Sequence, residues 1–122
     1  YLRNFFAQME IKTEDYRIWY DRSTTTVSFS GSLRLSGPAE YAPIAKLLGD
    51  VGNLEPPKIT LNLQHLEFLN SSGISMLSKF IIEVRKKGQV SMVVQGAQRI
   101  AWQGKSLKNL QRLMPTLELE LV

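Results

Sequence analysis

The order of apolar and polar positions divides the chain into segments with two different periods. Lys58 to Gln64 alternates strictly, with Ile59, Leu61 and Leu63 on one side and Thr60, Asn62 and Gln64 on the other, as a half-covered strand does. From Asn70 the period lengthens: Ile74, Leu77, Ile81 and Val84 recur at offsets of three and four, which predicts an amphipathic helix that Gly88 terminates. Upstream, Tyr16 to Tyr20 and Thr24 to Leu35 are rich in β-branched and aromatic residues and flank the turn-forming Asp21-Arg22-Ser23. These segments read as a hairpin, and Gly31 in its second arm predicts a bulge or a close backbone approach.

Between hairpin and alternating strand, Ser36-Gly37-Pro38 opens a helix with Tyr41, Ile44, Ala45, Leu48 and Val51 on one face. Gly49, Gly52 and Asn53 weaken its far end, and Pro56-Pro57 forbids continuation. Val90 to Val94 is a buried strand, Gly96 to Gly104 a connection, and Lys105 to Met114 a helix built on Leu107, Leu110 and Leu113. Leu117, Leu119 and Leu121 alternate with Glu118 and Glu120, a last strand whose charges suit a sheet edge. Residues Tyr1 to Glu14 approach a helical spacing, and read as a short helix on the domain or a segment that pairs with a partner. The expected architecture is an α/β fold, a mixed β-sheet with helices packed mainly on one face. One domain spans residues 15–122, preceded by an N-terminal extension of residues 1–14.

Composition narrows the chemistry. A chain of 122 residues with 43% hydrophobic content fits one ordinary domain with a real core. With no cysteine and only His65, no disulfide framework, metal site or cofactor is expected. The net charge of +4 is scattered except at Arg85-Lys86-Lys87, where cations complement a helix C-terminus, so nucleic acid is not an expected partner. The apolar runs are too short to span a bilayer and no secretory leader is visible, which favours a cytoplasmic protein without membrane insertion. Phe5, Phe6 and Trp19 could cover the core or a second subunit, so a homodimer is compatible with the sequence.

Catalytic residues are not expected either. His65 has no cysteine to activate, and Asn70-Ser71-Ser72-Gly73 lacks the glycine before the serine that a nucleophile elbow requires. Gly31-Ser32-Leu33-Arg34-Leu35-Ser36-Gly37 has neither phosphate-loop nor dinucleotide-binding spacing. What stands out is a helix start: Asn70 or Ser71 can serve as N-cap, leaving Ser71 or Ser72 in the first turn, where outward N–H groups favour an anion. Met76 lies off the centre of the core stripe, on a docking surface or against a neighbouring loop, and Lys79 projects away from the stripe.

The run from Leu61 to Gly73 resembles the signature of the STAS domain, shared by anti-sigma factor antagonists and the cytoplasmic tails of sulfate transporters. There a strand leads through a Glu-Phe turn to Asp-Ser-Ser-Gly and a helix, matched here by Glu67-Phe68-Leu69-Asn70-Ser71-Ser72-Gly73. The likeness extends in element order over about Thr26 to Met114. It implies a non-enzymatic bacterial regulator that switches partners. Ser71, with Ser72 beside it, would be the phosphoacceptor for a serine kinase that doubles as an anti-sigma factor, and a phosphatase would reset it. Docking would use Ser36, Asn62, Asn70, Gly73, Met76 and Lys79. Two departures stand out, since both aspartates of the family pattern are amides here, Asn62 and Asn70. The alternatives are a constitutive accessory subunit of a membrane transporter, or small-ligand sensing beside Asn62 and Asn70.

Overall fold

The computed structural model describes residues 9–122. Six strands and three helices follow one another as β1 (Glu10–Lys12), β2 (Tyr16–Asp21), β3 (Thr26–Leu33), α1 (Gly37–Asn53), β4 (Lys58–Leu69), α2 (Ser71–Lys87), β5 (Ser91–Gly96), α3 (Gln103–Gln111) and β6 (Glu118–Leu121). They build one mixed sheet in which spatial order equals chain order. β1, β2 and β3 are antiparallel neighbours, whereas β3 to β6 are parallel. Each parallel step advances in the same direction through a helical crossover. Right-handed crossovers therefore put all three helices on one face.

That face carries Ile18, Val27, Phe29, Ile59, Leu61, Leu63, Met92 and Val94, which join the helices in one buried cluster. The opposite face is polar. Its central row runs in register from Glu10 through Trp19, Ser28, Asn62 and Gln95 to Glu120. The strict alternation of β4 thus separates core from polar face, as its sequence predicts.

Several expectations are modified by contacts between distant segments. Of the residues expected near helical spacing before Glu14, Glu10–Lys12 form a strand, because their backbone pairs with β2 and Met9 is buried in the core; residues 1–8 of the expected extension lie outside the described residues. β4 runs to Leu69, five residues past the alternating stretch. It does so by taking in an extra residue twice, once between Asn62 and His65 opposite Ser28–Ser30 and once between Leu66 and Phe68 opposite Gly31–Ser32. Asn62 sits at the first bulge, where its side-chain oxygen accepts the Gln64 N–H at 3.1 Å. Gly31 has φ +90°, and a Cβ there would lie 2.2 Å from the Asp15 carbonyl oxygen, so the expected close approach is real. The hairpin turn is held by Asp21, whose Oδ1 accepts from the Ser23 N–H and hydroxyl at 2.9 and 2.6 Å; these bonds hold its carboxyl below the ordinary value.

α2 ends at Gly88, whose φ of +75° is the left-handed C-cap that glycine favours. α3 begins two residues before its apolar spacing suggests, at Gln103, which is fully buried. The Gln103 amide donates to the carbonyls of Leu63 and Leu66 at 2.6 and 3.1 Å and accepts the Ala97 N–H at 2.7 Å. One side chain thereby links β4, beyond its last pairing with β5 at Asn62 and Gln95, to the chain that leaves β5. Gln103→Leu keeps the size and takes the side-chain partner from the Leu63 carbonyl and the Ala97 N–H, whereas the Leu66 carbonyl keeps the Trp102 Nε1–H at 3.1 Å; each unpaired buried group costs about 1–3 kcal/mol. The variant is expected to lose roughly 3 kcal/mol in urea unfolding, and an unchanged midpoint would show that this link carries none of the fold's stability.

Candidate functional site

The parallel strands β3 and β4 end side by side, and the chain turns from each directly into a helix. Two helix N-termini therefore lie together at one end of the sheet, the place where open α/β sheets present their crevices. The residue that fixes their geometry is Asn70. As N-cap of α2 its Oδ1 accepts the Gly73 N–H at 3.0 Å and the Tyr41 hydroxyl at 2.6 Å. Its Nδ2 donates to the Leu35 carbonyl at 2.8 Å, and its backbone N–H donates to the Leu33 carbonyl at 3.3 Å. One side chain thus joins the start of α2, the middle of α1's first turns and the loop that carries Ser36.

These partners explain the amide. A backbone N–H can only meet an oxygen, and a backbone carbonyl can only meet a donor, so the Gly73 and Leu35 contacts require one of each on residue 70. Aspartate would set an oxygen against the Leu35 carbonyl. Asn70 is thus a structural requirement of this loop conformation.

Gly73 is equally constrained. A Cβ there would lie 2.2 Å from Leu69 Cδ1 and 2.8 Å from the Tyr41 hydroxyl. Tyr41 itself is 1% exposed, and burial pushes its phenol above the ordinary pKa. Ser36 is the N-cap of α1 but makes no side-chain cap bond; its N–H donates to Glu40 Oε1 at 3.2 Å. Its hydroxyl is left on an exposed residue one position from the Asn70 contact.

Ser71 is the first residue of α2, exposed, and its hydroxyl makes no hydrogen bond among the described residues. Ser72 is half-buried and lies on the rim of a groove of ≈ 270 Å³ between α1 and α2. α1 supplies Pro38, Tyr41, Ala45 and Gly49, a second stripe at helical spacing beside its core stripe. α2 supplies Met76 and Phe80 to the apolar surface, with Ser75, Lys79 and Glu83 among its polar residues. Met76 is 8% exposed and packs in the core cluster, so its off-centre position on α2 reflects the neighbouring helix rather than a free projection.

The structure accordingly brings together Ser36, Asn70, Ser71, Ser72 and Gly73, and continues them through Met76 and Lys79 along the groove. Asn62 is not among them. It lies in mid-strand on the helix-free face, about 20 Å of strand rise from Asn70, so no single pocket contains both amides. The sequence places Tyr41 and Ala45 on the core face and Gly49 at a weakened helix end; in the structure Ala45 is exposed, and all three line the groove. Their spacing of four on α1 was the available signal for a groove. Among the described residues, no cluster of three or more His, Asp or Glu could hold a metal ion.

No family model matches the chain, and no curated protein matches it. Solved structures do. A crystal structure of the diguanylate cyclase SiaD in complex with its activator SiaC, from Pseudomonas aeruginosa, contains a chain that matches 93% of this one and 98% of its own length. It does so at 15% identity and a TM-score of 0.69. SiaC of Pseudomonas aeruginosa matches at 14% identity and a TM-score of 0.67, over 93% of this chain and 97% of its own. An anti-sigma factor antagonist from Mycobacterium paratuberculosis matches at 21% identity and a TM-score of 0.61, over 88% of this chain and 90% of its own. The chain therefore has a STAS-like fold, the architecture expected from Leu61 to Gly73 and the order of elements.

Two predictions follow from the Asn70 contacts. Asn70→Asp loses the donor to Leu35 and gains a helix-dipole interaction of about 0.3–1 kcal/mol, against a cost of about 1–3 kcal/mol for the unpaired carbonyl. Chemical unfolding should show a net loss, and a more stable variant would contradict the assigned amide orientation. Because the Tyr41 pKa is raised on folding, its contribution is fully present below the unfolded phenol's value near ~10 and is lost as pH rises further, since the unfolded chain ionises first. Tyr41→Phe should flatten that alkaline decline in a pH series of melting temperatures while lowering stability at neutral pH.

Proposed function

We propose that this protein is a non-enzymatic STAS-type regulator that docks a protein partner over the α1/α2 groove and the start of α2, with Ser71 as the residue whose phosphorylation releases the partner. The observation that carries this reading is the Ser71 hydroxyl. It is exposed at a helix N-terminus, has no hydrogen bond among the described residues, and adjoins an apolar groove that Ser72 borders. A phosphoryl group there would add about −1.5 to −2 charge. The helix dipole tolerates that charge, and a partner seated across the groove must desolvate it.

The fold neighbours support the class of activity. One is named an anti-sigma factor antagonist, and SiaC is named the activator of a diguanylate cyclase, so both act on another protein. The partner expected here is a serine kinase that acts as an anti-sigma factor or a comparable switch, with a phosphatase that reverses the modification. No helix among the described residues is long and apolar enough to cross a membrane.

The test titrates a serine kinase of the anti-sigma type and a phosphatase from the same cell against three variants. Gly49 has open space around its Cβ position, and replacing a helical glycine favours the helix by up to about 1 kcal/mol. Gly49→Leu should therefore fold, fill the groove and weaken docking at least tenfold in a titration. Ser71→Asp should weaken docking similarly, whereas Ser71→Ala should bind as the wild type and accept no phosphate by intact mass. If Gly49→Leu abolishes docking while Ser71→Asp leaves it intact, the surface serves constitutive assembly and the switch is rejected. Unchanged binding in all three rejects the site.

A further inference from the structure

At the other end of α2, about 24 Å from Ser71 along a helix of this length, the structure holds a second cavity that the docking surface does not use. It measures ≈ 400 Å³, within the range of small-ligand pockets. Arg85, Gln89 and Ser91 line it together with Met114, Pro115 and Thr116. α2 ends beside it in three consecutive cations, Arg85, Lys86 and Lys87. Lys86 is engaged by Glu83 at 3.4 Å, and Lys87 reaches Asn53 Oδ1 at 3.3 Å. Arg85 has no carboxylate partner among the described residues. Its Nη1 donates to the Leu113 carbonyl at 3.2 Å, a bond that holds the guanidinium between the end of α2 and the end of α3 while leaving its charge uncompensated and most of its five donors unused. Lys58 stands beside this edge, since it is the strand partner of Ser91.

We infer that this cavity binds a small anionic metabolite that bears a phosphate on an apolar or planar body. The guanidinium fork suits a multi-oxygen anion, the Ser91 and Thr116 hydroxyls and the Gln89 amide add donors, and Val90, Met114 and Pro115 offer an apolar wall. The site is independent of the partner-docking groove, and its ligand could reach the protein whether or not a partner is seated there. Binding would tie the C-terminal ends of α2 and α3 to the start of β5.

The experiment is an amide NMR titration of the full chain with pyrophosphate, 5′-AMP and citrate in turn, repeated for Arg85→Ala, Lys105→Ala and Gly49→Leu. The expected result is saturable binding of 5′-AMP tighter than that of pyrophosphate, with shifts concentrated at Gln89, Ser91 and Thr116. Arg85→Ala should weaken it at least tenfold with an unchanged melting temperature, and Gly49→Leu should leave it intact. Citrate binding as tightly as 5′-AMP would replace the phosphate by carboxylate chemistry and overturn the ligand class. Equal weakening by Lys105→Ala, which removes the same charge from an exposed position on α3, would show diffuse attraction and overturn the site, as would no saturation by any probe at 10-millimolar order, roughly −3 kcal/mol.

Discussion

The end of the molecule where α1 and α2 begin depends on the hydrogen bonds of one half-buried amide. Asn70 caps α2 through Gly73, holds the Tyr41 hydroxyl from α1 and fixes the Leu35 carbonyl in the loop before α1. These three contacts come from segments that are 29 and 35 residues away in the chain as well as from the next turn. A cap of this kind does more than satisfy a helix end. It sets the separation of α1 and α2, and hence the width of the groove between them and the position of the Ser71 hydroxyl on its border.

For the proposed switch at Ser71 the consequence is mechanical. Ser71 stands immediately after a residue whose side chain has no freedom, because both ends of the Asn70 amide are committed. Charge added at Ser71 therefore cannot be relieved by rotation of the cap. It must be accommodated by solvent, by the helix dipole, or by departure of whatever lies across the groove. The apolar groove makes the last outcome consequential, since a partner that covers Met76 and Phe80 also excludes water from the charge.

Local chemistry made part of this legible from residues alone. Asn70 as a cap, Gly88 as a stop and the alternation of Ile59, Leu61 and Leu63 each reflect a backbone preference or a periodicity confined to a few neighbours. The polar face and the helix-covered face were separable for the same reason. What escaped depends on distant contacts. β4 continues through His65-Leu66-Glu67-Phe68 although the alternation breaks there, because two bulges shift the phase. Gln103 reads as a loop residue until the carbonyls of Leu63 and Leu66 are in place. Met76 reads as docking surface or loop contact until α1 lies beside it, and Glu10–Lys12 approaches a helical spacing until β2 offers a backbone to pair with. The resemblance of Leu61 to Gly73 placed the fold correctly, while the amides at Asn62 and Asn70 proved to have separate structural roles.

The sheet's sequential strand order has a consequence for how the chain comes into being. Every strand after the first hydrogen-bonds to the one synthesised just before it, so no strand waits for a later segment to be inserted between itself and its neighbour. Growth from one edge toward the other keeps loop-closure costs low at each step. A nascent chain can add β4 to the hairpin, then α2 and β5, while its C-terminal end is still being made. β6 arrives after β5, and its exposed Glu118 and Glu120 leave that edge ill-suited to pair with another growing chain.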